Sequence, residues 1–204
     1  MGRRVYVETN FIIAVANGEH EANDKILDAA QDASIDLALP QICIDEALSA
    51  SIKDRARMQT FLAPLRPEVR EYGRSRQSPT SRAASSRLQS AILAIDKADG
   101  ERLRRLKTTL SRLVKLAKLL PASLSDIAIQ DELLRDPYDA IIAKTVADEN
   151  KALGCESLFL TGNDDFDSES LRTLLVDSKV RRVHHPEKVL AMLRSTAPEA
   201  GGSE

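Results

Sequence analysis

The 204 residues suit one domain, or one domain carrying a sizeable insertion, and 43% hydrophobic residues are enough for a real core. Aromatic residues make up 3% and Trp is absent, which argues against a platform of exposed rings for stacking nucleic-acid bases. The net charge of −2 hides an asymmetry: residues 66–118 hold 14 Lys/Arg against 5 Asp/Glu, a local charge of +9, which leaves 15 against 26, or −11, elsewhere.

Val5-Tyr6-Val7 reads as a short strand, followed by an apolar helix from Phe11 to Ala16. Residues 20–33 form an amphipathic helix with Ala22, Ile26, Leu27 and Ala30 on its buried side. Residues 35–39 are a second strand closed by Pro40, and a third helix starts at Gln41 and ends near Pro64 or Pro67. The Ser/Arg-rich residues 73–90 read as a loop, a mobile segment or a weak helix start. A strong helix then opens at Asp99-Gly100 and runs to Pro121, with Leu103, Leu106, Leu110, Leu113, Val114 and Ala117 as its apolar stripe. Beyond Pro121 come a short helix over residues 125–134, a helix after Asp139, a strand over 157–161, a helix over 168–177, a strand over 180–183 and a last helix over 186–194. Strands alternating with helices predict an α/β fold in three layers, a mostly parallel sheet with helices on both faces. The expected organisation is a single domain over residues 1–194, with a basic, mainly helical insertion at about 66–120 and a disordered tail over 195–204.

Cys43 and Cys155 stand alone, outside any zinc-ligand or disulfide spacing, so a reducing cytoplasm is the expected compartment. The first residues lead straight into a strand rather than a secretory leader, and no apolar run approaches the ~18 residues of a membrane span.

In open parallel sheets, sites form at the carboxyl ends of the strands. Glu8 and Asn10 directly follow the first strand, and Thr161, Asn163, Asp164 and Asp165 follow the strand LFLT. VYVETNF resembles the opening motif of PIN domains, an apolar strand followed by an acid and an Asn. LPQICIDEAL resembles their second motif, in which a helix carries one Glu, DPYDAIIAKTVADE the third, and FLTGNDDFD the fourth. The four occur in the family's order and cover roughly residues 3–60 and 122–185.

The resemblance implies a three-layer PIN-like fold and an endoribonuclease dependent on Mg²⁺ or Mn²⁺, of the kind that serves as the toxin half of a toxin–antitoxin pair, with RNA and an antitoxin protein as partners and a homodimer as the expected assembly. It implies Glu8, Glu46, Asp139 and Asp165 as catalytic carboxylates, the same four with Asn163 as metal ligands, and Asn10, Thr161 and Asp164 in support. Mg²⁺ and Mn²⁺ prefer such oxygen donors, and the absence of Cys and of an obvious His from the set disfavours zinc. Arg102, Arg105, Arg112 and Lys115 in the basic segment are the candidates for phosphate contacts. Two positions depart from the family pattern, Glu8 where Asp is usual and Asn163 where an acid is usual; the alternative they imply is a weak or inactive PIN-like module that binds RNA or a protein.

Individual residues also have plainer readings. Asp136 reads as a helix N-cap with Pro137 at the first helical position. Asp45 rivals Glu46, because helical phase is uncertain by a residue. His184-His185 reads as a partly exposed strand end.

Overall fold

The computed structural model describes residues 3–74, 79–122 and 136–195. The chain divides into two compact units, Met1–Ala47 with Thr108–Glu204, and Leu48–Lys107.

The first unit is built on one sheet. Its strands are β1 (Arg3–Val7), β2 (Ile35–Pro40), β3 (Lys118–Leu120), β4 (Ser157–Leu160) and β5 (Val180–Val183), all parallel, in the order β3-β2-β1-β4-β5. Val5, Tyr6 and Val7 of the central strand are fully buried, as expected of a strand with neighbours on both sides and helices above and below. Helices α1 (Thr9–Asn17) and α2 (Glu21–Gln31) connect β1 to β2. Helix α5 (Pro137–Leu153) leads into β4, α6 (Glu169–Asp177) joins β4 to β5, and α7 (Pro186–Arg194) follows β5. Helix α2 packs on α7, and α5 packs on α6, so each pair covers one face of the sheet. The fold is the expected three-layer α/β arrangement, with a sheet that is wholly parallel.

From β1 the chain moves outward through β2 to β3, then returns to place β4 and β5 on the other side of β1. The order therefore reverses between β1 and β4. That reversal opens a crevice beyond their carboxyl ends, the usual ligand position in such sheets.

The remaining helices, α3 (Ile42–Arg74) and α4 (Pro79–Leu116), correct the sequence reading. Pro64 and Pro67 lie inside α3 rather than ending it, although each removes an amide donor at a typical cost of about 3 kcal/mol. Within the second unit the two helices pair antiparallel, with Asp54 facing Arg102 at 3.5 Å, Arg55 facing Asp99 at 3.3 Å and Arg66 facing Asp96 at 2.7 Å. Leu62 and Val69 are buried there, and this pairing offsets the proline cost. Much of the Ser/Arg-rich stretch is helical for a related reason. Ser85 is buried and donates to the Val69 carbonyl at 2.6 Å, while a Cβ on Gly73 would lie 2.7 Å from the Ser85 hydroxyl. Helix α4 thus starts at Pro79, well before Asp99-Gly100.

The apolar stripe of α4 also stops earlier than expected. Lys118–Leu120 leave the helix to pair with Ala38, Leu39 and Pro40, and the Leu120 carbonyl accepts from the Gln41 amide at 2.8 Å. The short helix expected over residues 125–134 lies outside the described residues, as does the tail from residue 196. No helix among the described residues is long and apolar enough to cross a membrane.

Candidate metal centre

Strand β1 ends at Val7, and the next residue, Glu8, caps α1. Its Oε2 accepts from the Asn10 amide at 2.7 Å, a normal use of an acidic side chain at a helix start. Glu8 is only 3% exposed, however, and its Oε1 is buried with no hydrogen-bond partner among the described residues. A buried carboxylate oxygen without a donor is costly, so this atom is a candidate for a cation or a bound water.

The carboxyl end of β4 supplies the opposite wall. Thr161 is buried, and its hydroxyl accepts from the Asn163 amide at 3.1 Å, which turns the chain out of the strand. The Asn163 side chain then works at both ends: Oδ1 accepts from the Asp165 amide at 3.0 Å, and Nδ2 donates to Asp139 Oδ2 at 2.9 Å. With its amide oxygen occupied, Asn163 orients Asp139 and Asp165 in this arrangement.

Asp139 lies in the first turn of α5, where the helix dipole favours negative charge, and it is 6% exposed. Asp136 caps the same helix, its Oδ1 accepting from the Tyr138 amide at 3.0 Å and the Asp139 amide at 3.3 Å. One carboxylate oxygen from each of Asp136, Asp139 and Asp165 lies within 4.8 Å of the others. Oxygens coordinating one octahedral Mg²⁺ are at most about 4.2 Å apart, twice the usual bond length, so modest side-chain rotation would bring this trio onto a single ion.

Glu46, in the second turn of α3, accepts a hydrogen bond from the Thr9 hydroxyl. Helical phase is resolved here: Glu46 is half-buried and turned to the crevice, while Asp45 is exposed. Glu46 acts electrostatically on both Glu8 and Asp139, and those two groups also meet through Asp139's effect on Glu8.

The two buried carboxylates of the group, Glu8 and Asp139, are pushed towards their protonated forms. Burial first, then repulsion from Glu46 and Asp139, lifts Glu8 to a pKa of about 7 against the lowering influence of the Asn10 amide and the neighbouring Thr161 hydroxyl. Burial also leads for Asp139, followed by repulsion from Asp136, Glu46 and Asp165, again giving about 7. A site for which ionisation is this unfavourable gains strongly from a divalent cation.

The other expected residues are placed less centrally. Asn10 is exposed, and the contact it makes with Glu8 comes from its backbone. Asp164 is exposed and lies 3.8 Å from the Arg182 guanidinium. All four candidate phosphate-binding cations are on α4. Arg102 is 3.5 Å from Asp54, and Arg112 is engaged by Asp28 at 2.6 Å and Asp24 at 4.0 Å, while Arg105 and Lys115 are exposed.

A comparison with protein-family models returns no match, as do comparisons with curated proteins and with solved structures. The site must therefore be judged on its own geometry.

Three contributing residues were not singled out from sequence. Asp136 was set aside as a cap, and it does cap, but it uses one oxygen for this and joins the acidic trio as well. Thr9 was passed over between two more conspicuous neighbours, though its hydroxyl fixes Glu46. Arg182 had no local signal. It lies on β5, with a side chain only 12% exposed; its Nη2 donates to the Asn163 carbonyl at 2.5 Å and its Nη1 to Asp167, which ties down the turn carrying Asn163 and Asp165.

Proposed function

We propose that this protein is a PIN-type endoribonuclease dependent on Mg²⁺ or Mn²⁺, acting as the toxin of a toxin–antitoxin pair. The observation that carries the reading is the convergence of the Asp136, Asp139 and Asp165 carboxylates at the β1/β4 crevice, beside a buried Glu8 whose Oε1 has no partner. The choice of RNA, and of an antitoxin as partner, rests on the four motifs in their family order.

The residues fit a hard cation. Asp136, Asp139 and Asp165 would hold it, with Glu8 and Glu46 acting directly or through water. When bound, such an ion polarises the phosphoryl oxygen, lowers the pKa of a water and stabilises the leaving oxygen. The chain's own groups do the rest. Asn163 and the Asp136 cap hold Asp139 in place, Thr9 holds Glu46, and the Asn10 amide fixes one oxygen of Glu8. Without a metal, Glu8 and Asp139 have pKa values near 7 and must release their protons for a cation to bind.

The alternative is a weak or inactive PIN-like module that binds RNA or a protein partner without cutting. What favours it is Asn163, whose amide is spent on Asp165 and Asp139 where an acidic residue would add a charge. Incubation with single-stranded RNA separates the two. The nuclease reading expects cleavage with Mn²⁺, none with EDTA, and none from Asp139→Asn. RNA bound but not cleaved in Mn²⁺ supports the inert module, and cleavage unaffected by Asp139→Asn refutes the site.

A further inference from the structure

A second concave surface lies along β5, at the edge of the sheet. It encloses about 490 Å³ and is lined by five cationic side chains, Arg3, Arg172, Lys179, Arg181 and Arg182, against one carboxylate, Glu156. Such an excess is unexpected in a protein whose charge outside residues 66–118 is −11. Only part of it is neutralised: Arg3 lies 4.0 Å from Glu156 and Arg182 pairs with Asp167, whereas Arg172 and Arg181 have no carboxylate partner among the described residues.

Most of the groove lies at the amino ends of β4 and β5, where Glu156, Ser157 and Lys179 line it, and it meets the turn beside the candidate metal centre through two residues. Arg182 and Phe166 line it, Phe166 belongs to the turn Asp164–Asp167, and the Arg182 guanidinium holds the Asn163 carbonyl and Asp167. The buried Nε of Arg182 has no acceptor among the described residues.

We infer that this groove binds the phosphodiester backbone of a single-stranded RNA, holding the strand along β5 outside the acidic crevice. The inference rests on the nuclease reading for its choice of polyanion. Phosphate binding needs cations and little else. An acidic protein partner would need apolar anchors as well, and the groove is poor in them: Phe166 and Leu175 are buried, which leaves Val176 as its exposed apolar residue. Strand addition to β5 is also disfavoured, since four residues that include two arginines make a short, charged edge. The track differs from the α4 cations, of which Arg112 is already held by Asp28.

The test measures binding without cleavage. Fluorescence anisotropy of a labelled single-stranded RNA is followed in EDTA, in an Asp139→Asn background, between about 50 and 200 mM salt. Removing two phosphate contacts with Arg172→Ala/Arg181→Ala should weaken binding about tenfold and reduce the salt slope by about 1.4, while Arg172→Lys/Arg181→Lys should retain both. Unchanged circular dichroism melting excludes unfolding of the double variant. Equal affinity and slope in the double Ala variant overturn the inference, and so does loss of polyglutamate binding with RNA binding intact, which assigns the groove to an acidic protein. A protein that binds RNA here but never cuts it fails the nuclease reading alone. One that cuts RNA with an unchanged KM in the double variant fails the groove alone.

Discussion

Glu8→Gln gives the sharpest view of how the acidic crevice is balanced. The side chain is nearly isosteric, and an amide oxygen can keep the bond from the Asn10 amide. What changes is the charge. The Glu8 pKa is raised from 4.5 to about 7, so between these values the folded protein holds a proton that the unfolded chain has released. Rising pH therefore favours unfolding across this window, and the full cost is present once pH exceeds about 7. A gap of this size corresponds to about 3 kcal/mol at 1.36 kcal/mol per unit. The substitution removes that cost, and it adds a pH-independent penalty of about 1–3 kcal/mol if the new NH₂ lacks an acceptor at the Oε1 position. The offset blurs a measurement at one pH, but it cancels from the difference between two. Urea unfolding in EDTA, followed by circular dichroism at pH 5 and pH 8, should show the variant gaining about 2–3 kcal/mol on the parent between the two conditions, since part of the cost is already present at pH 5. A stability difference that does not vary with pH would refute the assignment of Glu8 as a buried, proton-holding carboxylate.

Other outcomes follow from neighbouring contacts. Arg182→Ala should cost about 1.5–3 kcal/mol through the lost bonds to Asn163 and Asp167, and should weaken Mn²⁺ binding 10–100-fold by loosening the turn; chemical denaturation and metal titration read these separately. Asn150→Ala should cost about 3–5 kcal/mol, because Asn150 bonds Tyr6, Ser157, the Cys155 carbonyl at 2.9 Å and the Ser178 carbonyl at 2.6 Å; Mn²⁺ affinity should be unchanged, since these contacts lie at the amino end of β4. Saturating Mn²⁺ at pH 8 should raise the melting temperature by an amount worth about 3 kcal/mol at 100 times Kd, and the shift should shrink as pH falls below 7, where Glu8 and Asp139 are protonated.

Much of the first unit could be read from local pattern. VYV and SLFL are short apolar runs, and their burial on both faces is what a parallel sheet demands. Glu8 stood out because an acid directly after such a strand has little room to escape burial. Glu46 was harder to fix from spacing alone, and the turn of α3 that exposes Asp45 decides it. The errors arose where distant contacts overrode local preference. Pro64 and Pro67 are strong helix breakers, but the residues opposite them on α4 hold the helix through both. Lys118–Leu120 continue a helical stripe in sequence, yet the unfilled edge of β2 recruits them as a strand. The cap pattern at Asp136 gives no sign of its place in the acidic trio, and Arg182 reaches its partners across 15 and 19 residues of chain.

The central claim is that these carboxylates gather around a divalent cation, and calorimetric titration of Mn²⁺ at pH 8 tests it most directly. The account expects saturable binding below about 1 mM in the parent protein and its loss in Asp139→Asn, with the fold of the variant intact by circular dichroism. An absence of binding in the parent, or equal binding in Asp139→Asn, would contradict it.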